Sequence, residues 1–190
     1  MKAIYRTSKI MTVFIAACTW TACQNNEKTE RSKEAAKDIN DERFETRESE
    51  KKADFLVEAI AANMAEIEVA RLAISQSKNE DIKSMARQLE KDHHAILSEL
   101  KSFASEKGVS VPSELSDADS RQIQSLREEK TGDFDKKLLR DLESRHSSSI
   151  KKYEKCVESS DDLDLKNMAG KQLVTIRAHD HMIEKLLDKY

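Results

Sequence analysis

Apolar side chains return every three to four residues through four stretches of this chain, each about 25 residues long, a rhythm that amphipathic helices satisfy and strands do not. On the first stretch Leu56, Ile60, Ile67 and Ile74 share a face with Ala59, Asn63 and Ala70. The second carries Ile82, Met85, Leu89, Ile96, Leu100 and Phe103, and the third Phe134, Leu138, Leu142, Ser149, Tyr153 and Val157. The fourth carries Leu165, Ala169, Leu173, Ile176, Ile183 and Leu187. Three glycines and one proline leave little to interrupt long helices, and 36% charged residues supply their solvated faces. "SKNED", with Asn79 as an N-cap, and "ESSDDLD" are short breaks that imply antiparallel neighbours. "GVSVPSELSDADS" and a short helical piece around Ile123 and Leu126 make the middle connection longer. The predicted fold is all-α, an antiparallel four-helix bundle over residues 53–190 with a longer connection between its second and third helices.

The N-terminus reads as an address. Lys2, Arg6 and Lys9 precede an apolar run from Ile10 to Trp20, too short for a bilayer core that needs roughly 20 residues. A small residue before a cysteine predicts a bacterial lipoprotein signal over residues 1–22, with Cys23 as the lipidated N-terminus and the membrane as its partner. Cys18, after Ile15-Ala16-Ala17, is the alternative position, and an ordinary secretory signal cleaved nearby is another reading. The lipoprotein reading places the protein in the cell envelope, on the outer membrane or facing the periplasm. Residues 23–52 hold only Ile39 and Phe44 as larger apolar side chains and predict a polar, charged tether. A net charge of −3 without a basic stripe argues against nucleic acid. No Ser-His-Asp set, glycine-rich phosphate loop or Cys-x-x-Cys is present, so the chain carries no predicted catalytic residues. Cys156 falls on an apolar face and reads as a small core residue.

The polar residues on the apolar faces are the informative ones. Leu-Glu-x-x-His occurs twice, in "QLEKDHHAIL" and "DLESRHSSSI". At about 100° per residue, His93 and His146 fall near the centres of their stripes, and Glu66 and His179 fall within theirs. His94, His181 and Glu68 turn outward. Glu66, His93, His146 and His179 sit at similar depths in their helices, so antiparallel packing brings them to one layer. Imidazoles with a carboxylate suit one transition-metal ion, Fe, Zn, Mn or Cu. Glu90, Asp92, Glu143 and Asp180 flank the stripes, where they would fix imidazole tautomers or add ligands. The alternative is a hydrogen-bonded polar layer that sets helix register without an ion.

The chain resembles a bacterial envelope family of unknown function, numbered 4142 among domains of unknown function. The resemblance is carried by "ADFLVEAIAANMAEIEVARLA", "IKSMARQLEKDHHAIL", "FDKKLLRDLESRHSSSIKKYEK" and "LKNMAGKQLVTIRAHDHMIEKL". It implies a ferritin-like fold in secreted or lipid-anchored proteins, with Glu66, Asp92-His93, His146 and His179 at the family's recurring polar positions, and it implies no activity. Ferritin-like oxidases carry Glu-x-x-His on two helices and single glutamates on the others. Here helix four reads Ala178-His179-Asp180 and Arg145 precedes His146, a poor match to di-iron oxidase chemistry.

Overall fold

A computed structural model of the chain describes residues 24–130 and 132–190, with side chains from Ser32 onward. The predicted lipoprotein signal, with Cys18 and Cys23, lies outside the described residues. Among those described there are six helices and no strand: α1 (Gln24–Arg43), α2 (Arg47–Gln76), α3 (Glu80–Glu106), α4 (Asp117–Arg127), α5 (Phe134–Ser159) and α6 (Leu163–Leu187). None is long and apolar enough to cross a membrane.

Local chemistry sets the ends. Asn79 accepts hydrogen bonds from the Asp81 and Ile82 amides, and Asp162 from the Asp164 and Leu165 amides. Thr46 accepts one from Ser49 and Ser116 one from Asp119. Each such cap stabilises its helix by about 1 kcal/mol. Gly108, at φ 68°, ends α3 in the left-handed conformation that a side chain would oppose.

The region predicted as a tether over 23–52 is helical through Arg43, and α2 begins at Arg47 rather than near residue 53. Its Glu, Lys and Ala content favours helix whether or not an apolar stripe is present. The second half of α1 packs through small and polar groups. Ala36 is buried, and the buried Asn40 side chain donates to the Ser110 carbonyl at 2.9 Å while accepting from the Ser110 amide at 2.8 Å. Lys37 reaches Asp54 and Glu58 of α2, both at 3.2 Å.

Among the long helices α2 packs on α3 and α5, and α6 packs on α5 and α3. Short connections at 77–79 and 160–162 make α2/α3 and α5/α6 antiparallel pairs. The short α4 lies in the long connection, against α2, α5 and α1. Most of the buried apolar side chains fall into two clusters. One holds Leu72, Ile82, Leu89, Phe134, Leu138, Leu142 and Ile183. The other holds Leu56, Ile60, Ile96, Leu100, Tyr153, Leu165 and Ile176. Each fully buried Leu or Ile contributes about 1.5–3 kcal/mol. Ile74, Phe103, Val157 and Leu187, at the edges of the predicted stripes, are only partly buried.

Cys156 belongs to the second cluster. Burial, with a smaller contribution from Asp162, pushes its thiol up to about 11 from 9.0. Only the thiolate is nucleophilic. Near pH 8 the native thiol therefore reacts with a disulfide reagent on the order of 100-fold more slowly than in urea-unfolded protein. Equal rates would show that the thiol is solvated.

Candidate metal centre

Between the two apolar clusters lies a layer of polar side chains. Glu66 comes from α2, His93 from α3, His146 from α5 and His179 from α6, each no more than 2% exposed. One ring nitrogen from each histidine lies within 4.8 Å of the others. The ring centroids stand 5.1 to 5.6 Å apart. Antiparallel helices of similar length meet at their middles, and these residues are near the middles of their helices.

The hydrogen bonds assign the protons. The amide nitrogen of Asn63 donates to the Ala59 carbonyl at 2.8 Å, so the oxygen of Asn63 is an acceptor. His93 Nδ1 donates to that oxygen at 2.8 Å. His146 Nδ1 donates to the Leu142 carbonyl at 2.9 Å, and His179 Nε2 donates to Asp92 at 2.9 Å. Each ring has thus committed its N–H to an oxygen outside the layer's centre. In the neutral rings the remaining nitrogens, His93 Nε2, His146 Nε2 and His179 Nδ1, carry lone pairs.

Those three atoms and Glu66 Oε2 are buried and lack a hydrogen-bond partner. Glu66 Oε2 lies 2.8 Å from His93 Nε2, off the hydrogen-bond direction, and 3.5 Å from His146 Nε2. The other oxygen of Glu66 accepts from Ser149 at 3.2 Å. Burial opposes ionisation of Glu66, but positive charge on the imidazoles of His146 and His93, the contact with His93 Nε2 and Arg145 beyond them outweigh it and hold the carboxyl well below the usual carboxylate range. Burial pushes the His179 imidazole down to about 4, against the pull of Asp92, so at neutral pH it is uncharged. A buried carboxylate is costly unless a cation joins it, either a protonated imidazole or a bound ion.

The flanking carboxylates divide. Asp92 is at the site: burial disfavours its charge, but hydrogen bonds from His179 and Gln88 prevail and keep it ionised. Asp180 is half-buried, and burial, then Glu184, raise its carboxyl against a weaker pull from His146. Glu90 is held by Arg71 at 2.8 Å, and Glu143 is half-buried and makes none of the histidines' hydrogen bonds. The recurring Leu-Glu-x-x-His therefore brings its histidines to the layer and leaves its glutamates on the flanks. Asn63, Ser149 and the Leu142 carbonyl do the orienting instead. Asn63 and Ser149 carried a signal, since both are polar residues on an apolar stripe within one turn of a site residue.

The sequence profile of a family described as a domain of unknown function, DUF4142, matches residues 40–186. No curated protein matches the chain. Among solved structures, the crystal structure of a DUF305 fragment from Deinococcus radiodurans superposes with a TM-score of 0.66, covering 74% of this chain and 97% of that one at 12% identity. That likeness concerns the helical fold alone.

Proposed function

We propose that this chain, which belongs to the DUF4142 family, binds one transition-metal ion through Glu66, His93, His146 and His179. The observation that carries the reading is the convergence of three buried histidines, with ring nitrogens within 4.8 Å of one another, on a buried carboxylate that contacts two of them, each side chain held from behind by a hydrogen bond. Metal-ligating histidines have that signature: one nitrogen faces the ion and the other donates to a carboxylate or carbonyl. Three imidazoles and one carboxylate suit Zn, Fe, Mn or Cu. Around a tetrahedral ion with bonds of about 2.0–2.1 Å the donors stand roughly 3.4 Å apart. The three imidazoles already bring nitrogens within 4.8 Å of one another, and Glu66, in contact with His93 and His146, would move inward to join them. The proposal includes a ferritin-like four-helix bundle built from α2, α3, α5 and α6. It also includes attachment at the cell envelope through Cys23, with Cys18 as the alternative, a reading supported by the sequence of the leader. The protein is a binding module in this reading, with no catalytic step assigned.

The test is elemental analysis of the purified protein after expression in metal-replete medium, and after reconstitution with Fe, Zn, Mn and Cu separately. The expected result is near one equivalent in the parent and none in a His93→Ala/His146→Ala/His179→Ala variant. A parent that retains no ion under any of these conditions leaves the layer as a hydrogen-bonded core element, with Glu66 balanced by a protonated histidine.

A further inference from the structure

Side chains close the layer on three sides, and on the fourth it meets a cavity partly covered by α1 and α4. Across the α3–α6 seam Asp92 bonds to His179 and Glu99 to Gln172, both at 2.9 Å. Across α2–α3 the contacts include Asn63 to His93 inside and Arg71 to Glu90 outside. The α5–α6 seam is filled by apolar packing and by Tyr153 donating to Gln172 at 3.0 Å. The α2–α5 seam differs. Ala61 and Ala62 face Ser148 and Ser149 there, and the side chains are too short to fill the gap. A cavity of about 180 Å³ remains between them, and Glu66 is among its walls.

We infer that the α2–α5 cleft is the route by which a metal ion enters and leaves the buried layer. This rests on the ion-binding reading above and adds to it the path and its controlling residues. Ser148 is exposed at the mouth, Ala62 is half-buried, and Ser149 is buried beside Glu66. An ion passing this way exchanges water for the Ser149 hydroxyl and the Glu66 carboxylate before it meets an imidazole. The volume accommodates several waters, so a partly hydrated ion fits and a bulky chelate does not. Glu58, paired with Lys152 at 2.9 Å, lines one wall, and Arg145, paired with Asp119 at 2.8 Å, lines another. Lys33 also lines the cavity, so the carboxylates of Glu58 and Asp119 are offset by cations and the attractive charge at the inner end is Glu66.

The probe is Co²⁺, whose visible absorbance changes when imidazoles replace water. Parent protein is first titrated to its equilibrium endpoint, and uptake and release are then followed by rapid mixing with Co²⁺ and with excess chelator. Ala62→Phe places a side chain in the cleft, and Ser148→Phe covers its mouth from an exposed position where folding is undisturbed. Both variants are expected to reach the parent's endpoint with the same dissociation constant, while uptake and release slow together by about tenfold or more, the factor that goes with displacing a packed side chain at the barrier. Release from the parent is expected to become independent of chelator concentration, because the chelator cannot reach the bound ion. Parent rates in a folded Ser148→Phe protein overturn the route, as does a variant that alters the endpoint and leaves the rates unchanged. A parent that takes up no Co²⁺ at the titration and retains none of Fe, Zn, Mn or Cu on reconstitution removes the binding reading and the route with it.

Discussion

Zn²⁺ added to the chelator-stripped protein raises its melting temperature by about 5–11 °C once free ion exceeds the dissociation constant one hundredfold. The size follows from linkage. An ion that binds the native state and not the unfolded chain stabilises by about 2.7 kcal/mol at that concentration. For a chain of this length each kcal/mol moves the midpoint by roughly 2–4 °C. The His93→Ala/His146→Ala/His179→Ala variant shows no rise with added ion. Glu66→Gln keeps the shape of the side chain and removes its charge, so its rise is smaller than the parent's. Differential scanning fluorimetry across an ion series checks both statements. A parent midpoint that ignores every ion tested would contradict them.

Arg145→Met lowers the stability of the protein by about 3–5 kcal/mol, the loss typical of removing one partner from a buried charge pair. Arg145 Nε lies 2.8 Å from Asp141, and Nη1 lies 2.8 Å from Asp119 at the start of α4. The Asp141 side chain is only 6% exposed, so without the guanidinium its carboxylate keeps Gln122 as its neighbour and loses its counter-charge. Asp119 is 24% exposed and recovers more of its hydration. Urea denaturation of the parent, Arg145→Met and Asp141→Leu/Arg145→Met measures the effect. The double variant is expected to regain most of the stability, because well-packed apolar groups replace a buried pair at little cost. A loss below about 1 kcal/mol in the single variant would instead match a solvent-screened surface pair.

The inward direction of Glu66, His93, His146 and His179 is legible from the 3.6-residue period, since each lies on or beside the stripe that includes Ile67, Leu89, Leu142 or Ile176. Their meeting is legible from depth, because helices joined by short turns must run back alongside one another. What holds them was less legible. Glu90 and Asp92 flank the same stripe on opposite sides, and only the packing of α3 against α2 and α6 sends Glu90 to Arg71 and Asp92 to His179. Periodicity cannot make that choice, because it depends on which neighbour each flank meets. The docking of α1, expected as no more than transient helix in a tether, was hidden for another reason. Its visible packing uses Ala36 and Asn40, which leave no hydrophobic stripe to detect, while Ile39, its one large aliphatic side chain, is 47% exposed.

The division of the apolar interior has a consequence for how the domain opens. Hydrophobic contact is adaptable, and a single continuous core transmits a local loosening gradually. Here the two clusters are separated by side chains whose contacts are directional, and a directional contact breaks over a short displacement. The end containing Leu72, Phe134 and Leu138 and the end containing Leu56, Leu100 and Leu165 are thus arranged as two units that can exchange amide hydrogens with different opening energies. An ion shared by four helices at their midpoints would couple those units, so that its arrival changes how cooperatively the domain opens as well as how stable it is.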